Sequence, residues 1–379
     1  MSSASQSAAS SASSVPACAL RRVTDMKLID LNDRNILVTG SLGFIGASLI
    51  VKLLKELDGC VIVGMDDLST VDESLRMPRV HRIERAVDEH NVYTFAYGSI
   101  NDKDFLEEVM RGYEIDVVVN LAGRAGVRQS IDDPVPYIDT NIVGFHNVLE
   151  VCVDRNVKHL VYASSSSVYG NNGGKSKAPF SEFQKADEPV SLYAATKRCD
   201  ELLAYAYASE HGLPCTGLRF FTVYGPDCRP DMLCRKAADK FSRGESVEVY
   251  NKGSMSRDFT YIDDVVDVIF AVMGGAPRTS VDANGVTIPP WSVYNVGYGN
   301  PIGLIDFLVM LFVELQRVGV VGSDQELKVK PVGMQVGDVR TTYANTYDLK
   351  QNFGIVPETA VRTGLHKFAD WYAEVVNEG

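Results

Sequence analysis

Tyr193 and Lys197, in Ser191-Leu192-Tyr193-Ala194-Ala195-Thr196-Lys197, are spaced so that one face of a helix would present both side chains. A cation beside a phenol stabilises the phenolate, which makes a usable base near neutral pH. The same spacing is common by chance as a half-buried Tyr with a solvated Lys, so its company decides its meaning. Upstream, an apolar run from His159 to Tyr162 leads into Ser164, Ser165, Ser166 and Ser167. Hydroxyls at the carboxyl end of a parallel strand lie where such folds bind ligands and can hydrogen-bond a reacting hydroxyl. A serine loop capping its own backbone is the plainer alternative, and not all four serines can be functional.

Further upstream, Thr39-Gly40-Ser41-Leu42-Gly43-Phe44-Ile45-Gly46 joins a strand to a helix predicted over Ala47 to Leu57. Gly40 permits a tight turn, Gly43 lets the backbone approach a pyrophosphate, and Gly46 allows close packing of helix on strand. The next strand ends at Met65-Asp66-Asp67, about 20 residues on, where the Asp66 carboxylate can accept from both hydroxyls of an adenosine ribose. An acid there repels a 2'-phosphate, so NAD is expected rather than NADP.

These residues need a scaffold, and the chain supplies one. Val/Ile-rich runs at Asn35 to Thr39, Val61 to Met65, Val92 to Tyr97, Asp116 to Leu121, His159 to Ser164 and Cys215 to Phe220 alternate with helical patterns, including Asp139 to Cys152 and Tyr193 to His211. That alternation predicts an α/β chain with a doubly wound parallel sheet of Rossmann type, six strands covered by helices on both faces. Residues 1–32 read as a disordered Ser/Ala-rich tail and 33–221 as the dinucleotide-binding domain. Residues 222–379, with irregular Gly- and Pro-containing loops and helices at Met232 to Arg243 and Leu304 to Val318, read as a smaller mixed α/β substrate-binding region with some segments returning to the first domain.

The formal charge of -12 over 379 residues opposes binding to nucleic acid or an acidic membrane, which leaves small molecules as the expected partners. Seven scattered cysteines, without C-x-x-C spacing, indicate neither a disulfide framework nor a metal site and fit a reducing cytoplasm. The most apolar stretch, Leu304 to Val313, is too short to span a bilayer.

The blocks TGSLGFIG, SSSSVYG and SLYAATK together resemble the NAD-dependent epimerase/dehydratase branch of the extended short-chain dehydrogenase/reductase superfamily, over essentially everything after the tail. Gly126-Val127-Arg128, Leu218 to Pro226, Arg229-Pro230-Asp231-Met232 and Arg257 to Asp264 are similar to the UDP-glucuronate 4-epimerases within that branch. The resemblance implies Tyr193 as base, Lys197 as its partner and ligand of the nicotinamide ribose, and Ser165 as partner of the sugar C4 hydroxyl with Ser167 beside it. It puts Phe44, Ile45, Ser99, Ile100, Leu121, Ala122 and Gly123 on the NAD. It puts Thr222 and Arg229 on a C6 carboxylate, Arg257 on the diphosphate, Val249 and Tyr250 about the uridine, and Gln335 and Asp338 near the ribose or phosphate.

Arg229 is the discriminating residue, since a planar guanidinium can hold a carboxylate bidentately; a loop arginine paired with Asp227 or Asp231 is the alternative. Ser99, Asn120, Leu42 and Arg340 depart from the family pattern. The implied activity is interconversion of UDP-glucuronate and UDP-galacturonate by a homodimer, through a 4-keto intermediate and with tightly bound NAD. Decarboxylation of UDP-glucuronate, epimerisation of UDP-glucose or its N-acetyl relative, and NAD sensing without catalysis stand as alternatives. A 4,6-dehydratase would resemble T-D-E where this chain has Ser165-Ser166-Ser167.

Overall fold

The computed structural model describes residues 25–174, 178–334 and 339–378. Strands and helices alternate: β1 Asn35–Thr39, α1 Phe44–Glu56, β2 Val61–Asp66, α2 Glu73–Glu84, β3 Val92–Tyr97, α3 Lys103–Gly112, β4 Val117–Asn120, α4 Phe145–Asp154, β5 His159–Ser165, α5 Leu192–His211 and β6 Cys215–Phe220. The chain then leaves the sheet and returns through α6 Ile262–Met273 and β7 Trp291–Val296. All seven strands form one parallel sheet in the order β7-β6-β5-β4-β1-β2-β3. The order reverses between β1 and β4, and loops diverging from adjacent strand ends open a crevice there.

Side-chain alternation explains why the strands are apolar along their whole length. Ile36, Val38, Val117, Val119 and Val161 face one layer with Leu49, Leu53, Val265 and Ile269 of α1 and α6. Leu37, Val118 and Leu160 face the opposite layer with Leu106, Val148, Leu149 and Ala204 of α3, α4 and α5. Both faces are buried, so each successive residue must be apolar.

The six predicted strands are present within a residue or two, and the seventh was missed. Trp291–Val296 pairs in register with Cys215–Phe220, although it lies some 70 residues downstream among Gly and Pro loops. The expectation that some segments after residue 222 return to the first domain did not single out this run, because nothing local in its sequence names its partner strand. The ordered fold also begins earlier than residue 32: Met26–Leu28 pairs antiparallel with Gly275–Pro277, and Leu31 is buried. Two segments of that strand and loop are thus held by partners remote in sequence, which composition could not reveal. Residues 1–24 of the predicted tail lie outside the described residues.

In the smaller region, Thr222–Tyr224 pairs with Phe259–Tyr261 and Val247–Val249 with Val329–Pro331. Helices Leu233–Ser242, Leu304–Arg317 and Val361–Glu378 pack around an aromatic cluster in which Phe259 stacks on Phe307 at 3.9 Å. Among the described residues no helix is long and apolar enough to cross a membrane, and no group of His, Cys, Asp or Glu could hold a metal ion.

Several acids are buried, and their titration sets the pH response of the fold. Burial pushes Asp200 up to about 7 against the Lys197 ammonium, Glu182 up to about 7 against the Asn295 N–H, and Asp258 up to about 6 against three backbone N–H groups. Groups whose folded proton affinity exceeds the unfolded one withdraw stability as pH rises through the window between the two. Glu201 behaves oppositely: burial raises it, but Arg219, Ser164 and Arg198 outweigh that and hold it below its ordinary value, so its contribution is lost on acidification. The thermal midpoint should therefore be higher near about pH 6 than at about pH 8 and should fall again below about pH 4. Calorimetry showing a midpoint that stays level or climbs from pH 6 to 8 would contradict this.

Candidate active site

A cleft of about 890 Å³ runs along the carboxyl ends of the strands. At one end the chain turns at Gly40, whose φ of +65° is left-handed and whose added Cβ would meet the backbone of Leu121 and Ala122 at 2.7 to 2.9 Å. A Cβ at Gly46 would sit 2.2 Å from the Gly40 carbonyl oxygen, so helix α1 can start this close to β1 only with glycine there. Gly43 precedes the first helical residue and offers no side-chain cap, which leaves the N–H groups of the first turn available to an anion.

Asp66 holds this turn: its Oδ2 accepts from Leu42 N at 2.9 Å and its Oδ1 from Leu68 N at 2.8 Å. Burial raises its proton affinity, and those two N–H groups oppose the rise. Each oxygen keeps a lone pair toward the cleft, where ribose hydroxyls could donate. The glycine cradle, the open helix terminus and this carboxylate fit a dinucleotide. Gly40, Gly43, Phe44, Ile45, Gly46, Asp66, Ser99, Ile100, Leu121, Ala122 and Gly123 all line this end.

Helix α5 begins where the chain needs it. Ser191 caps it by accepting from Ala194 N at 3.1 Å, and the Tyr193 N–H donates to Ser130 Oγ at 3.2 Å. Tyr193 and Lys197 both line the cleft, and the Tyr193 ring meets Tyr137 edge-on at 6.3 Å. The serines divide as their number required. Ser164 turns away and donates to Glu201 at 2.6 Å, whereas Ser165 and Ser167 stay at the cleft with their hydroxyls 2.9 Å apart.

Asn141, which sequence reasoning did not single out, ties the elements around the cleft together. It sits in a π-helical segment, Ile138–Gly144, ahead of α4. Its amide donates to Thr196 Oγ1 at 2.9 Å and accepts from Arg124 N at 2.7 Å, which locks α5 against the loop after β4. A Cβ on Gly123 would lie 3.1 Å from Asn141 and 3.4 Å from Lys197 Nζ, so this glycine admits both groups. An Asn amid Ile138, Ile142 and Val143 was the available signal.

On the substrate side, Thr222 and Arg229 line the same cleft as Tyr193. Arg229 is about one-third exposed, at 35%, and forms a two-pronged pair with Asp231: Nε to Oδ1 at 2.9 Å and Nη2 to Oδ2 at 3.0 Å. Burial raises Asp231, yet Arg229 outweighs this and holds the carboxyl below its ordinary value. Arg229 thus faces the cleft and is paired with Asp231 at the same time.

Val249, Tyr250 and Arg257 stand apart from the cleft lining. Val249 is buried in the core of the smaller region, Tyr250 lies under the Arg128 guanidinium at 4.2 Å, and Arg257 donates to the carbonyls of Ser256 and Arg340. Gln335 and Asp338 lie outside the described residues.

Two of the departures have structural explanations. Asn120 is buried beneath the glycine turn and accepts from Thr39 Oγ1 at 2.6 Å, and Leu42 points into the core. A further missed residue is Arg79 on α2, fully buried, which donates to the Leu42 carbonyl at 2.7 Å and the Asp227 carbonyl at 2.6 Å. It joins the glycine turn to the loop that carries Arg229.

Residues 36–284 match the model of the NAD dependent epimerase/dehydratase family. The protein CapI of Staphylococcus aureus is 40% identical over 346 residues, covering 89% of this chain and 98% of that one. A probable UDP-glucuronate 4-epimerase of Rhizobium meliloti is 38% identical over 343 residues, covering 89% and 96%. The crystal structure of UDP-glucuronic acid 4-epimerase from Bacillus cereus, in complex with UDP-glucuronic acid and NAD, superposes with a TM-score of 0.75 at 27% identity, covering 90% of this chain and 99% of that one. NAD is accordingly the cofactor of this family and of this chain. With the family model covering most of the sheet and relatives aligned along nearly the whole chain, the protein belongs to the NAD-dependent epimerase/dehydratase family.

Proposed function

We propose that this NAD-dependent nucleotide-sugar 4-epimerase interconverts UDP-glucuronate and UDP-galacturonate. The observation that carries the reading is Arg229, a guanidinium lining the same cleft as Tyr193 and Thr222. Bound NAD supplies a reversible hydride acceptor for C4. Tyr193 removes the C4 hydroxyl proton while Ser165, supported by Ser167, hydrogen-bonds that oxygen, and the Lys197 cation stabilises the phenolate. The same tyrosine returns the proton after the 4-keto sugar has turned over.

A 4-keto uronate is a β-keto acid and loses carbon dioxide readily when its carboxylate bond aligns with the carbonyl π system. Thr222 and Arg229 hold the carboxylate out of that alignment. One observation favours a second reading, a neutral hexose or its N-acetyl relative: Arg229 already has a carboxylate partner in Asp231. On the uronate reading, the sugar carboxylate competes with or joins Asp231 on the guanidinium fork, whose five donors exceed what one carboxylate uses.

Incubated with UDP-glucuronate, the purified protein should form UDP-galacturonate without added NAD reduction and without a UDP-pentose; a pentose as main product would mean a decarboxylase. Arg229→Ala should lose roughly 10- to 100-fold in kcat/KM, about 1.4 to 2.7 kcal/mol, on the uronate, because one-third exposure and the Asp231 pair reduce what the contact contributes. Activity on UDP-glucose should change little, and some pentose should appear. Equal losses on both sugars would establish a purely structural Arg229.

The proposed enzyme works as a cytoplasmic homodimer. Exposed apolar side chains at Ile138 and Val143, ahead of α4, and at Leu202 and Tyr205 on α5 form the patch that a second copy would cover. Light scattering should give twice the chain mass at micromolar concentration and a monomer for Leu202→Glu; a monomeric parent protein would contradict the pairing.

A further inference from the structure

Beneath the Tyr193 and Lys197 pair lies an acid for which the reaction as described has no use. Asp200 follows Lys197 by three residues and Tyr193 by seven, so a helix of 3.6 residues per turn sets all three side chains on one face. Its Oδ2 accepts from Lys197 Nζ at 3.1 Å, and the two side chains are only 3% and 7% exposed. Its Oδ1 is buried without a hydrogen-bond partner. An unsatisfied charged oxygen is costly to bury, so a purely structural residue at this position would ordinarily be apolar.

The ionisable surroundings of Asp200 are few. Lys197 and Glu201 face it from its own helix, with Cys199 adjacent, and the Tyr162 phenol faces it from β5. Glu201 is already neutralised by Arg219 and Arg198, so the cation that answers Asp200 is Lys197. Lys197 therefore serves two anions at different times: the carboxylate behind it and the phenolate ahead of it.

We propose that Asp200 is a positioning and charge-balancing residue, which pins the Lys197 ammonium to the cleft floor and offsets part of its charge. The chemical need is reversibility. In an epimerase Tyr193 must give the proton back to the C4 oxygen that it took it from, and an undivided cation beside it would favour the phenolate too strongly for easy return. Asp200 weakens that hold. Burial also raises Asp200 to about 7, and the Lys197 ammonium opposes that rise. The inference rests on Tyr193 acting as the base.

The test compares Asp200→Asn and Asp200→Ala with the parent enzyme and Tyr193→Phe, using the pH profile of kcat and the phenolate absorbance of each protein minus that of Tyr193→Phe. Asparagine preserves shape and removes the charge, so a shift there is not a packing effect. Both Asp200 variants should move the acid limb of kcat, and the phenolate titration, to lower pH by on the order of one unit. A folded Asp200→Asn or Asp200→Ala enzyme whose limb and titration stay in place or move upward would overturn the proposal. An active Tyr193→Phe enzyme would overturn the base assignment and this inference with it, which separates the two failures.

Discussion

The arrangement of the site depends on one buried carboxylate. Glu201, on the face of α5 opposite solvent and fully enclosed, accepts from Arg219 Nε and Nη2 at 2.7 Å each, from Ser164 at 2.6 Å and from Arg198 at 2.9 Å. Arg219 continues to Tyr169, and Tyr169 to Asn295. The catalytic helix is thereby tied to β5, β6 and β7 through saturated, charge-assisted hydrogen bonds. Removing one partner would leave an uncompensated buried charge, at a cost of about 3 to 5 kcal/mol, so the network tolerates little rearrangement. The strand's alternation also turns the Ser164 hydroxyl toward Glu201 and the next, that of Ser165, toward Ser167.

A second constraint links the cofactor side to the substrate side. The glycine turn is held from beneath by Thr39 and Asn120, from the side by Asp66, and from above by Arg79. The same Arg79 holds Asp227, two residues before Arg229. Asp227 has a left-handed φ of +63° and also pairs with Arg82. The two halves of the cleft therefore share one buried guanidinium. The return of the chain through α6 and β7 completes that connection, because the loops that carry Thr222 and Arg229 leave and re-enter a single sheet.

Legibility in the sequence followed the range of the interactions. The glycine turn, Asp66, the paired Tyr193 and Lys197, and six strands were readable because each depends on local spacing or on burial on both sheet faces. The seventh strand and the ordered Met26–Leu28 were not, because each is fixed by a partner far away in the chain. Asn141, Arg79 and Asp200 were missed for a related reason: a buried polar residue inside a helix looks like an ordinary surface position until the fold shows what it faces. Arg229 was readable as a candidate, but its Asp231 partner changes how much its charge can contribute.

The central claim is that Tyr193 and NAD act together on a single carbon, C4, and restore what they remove. UDP-glucuronate carrying deuterium at C4, turned over in ordinary water, tests this directly by mass spectrometry and proton NMR of the product. The account predicts UDP-galacturonate that retains the deuterium at C4, with no label in free nicotinamide nucleotide or solvent. Loss of the label to water, or its appearance in dissociated cofactor, would contradict it.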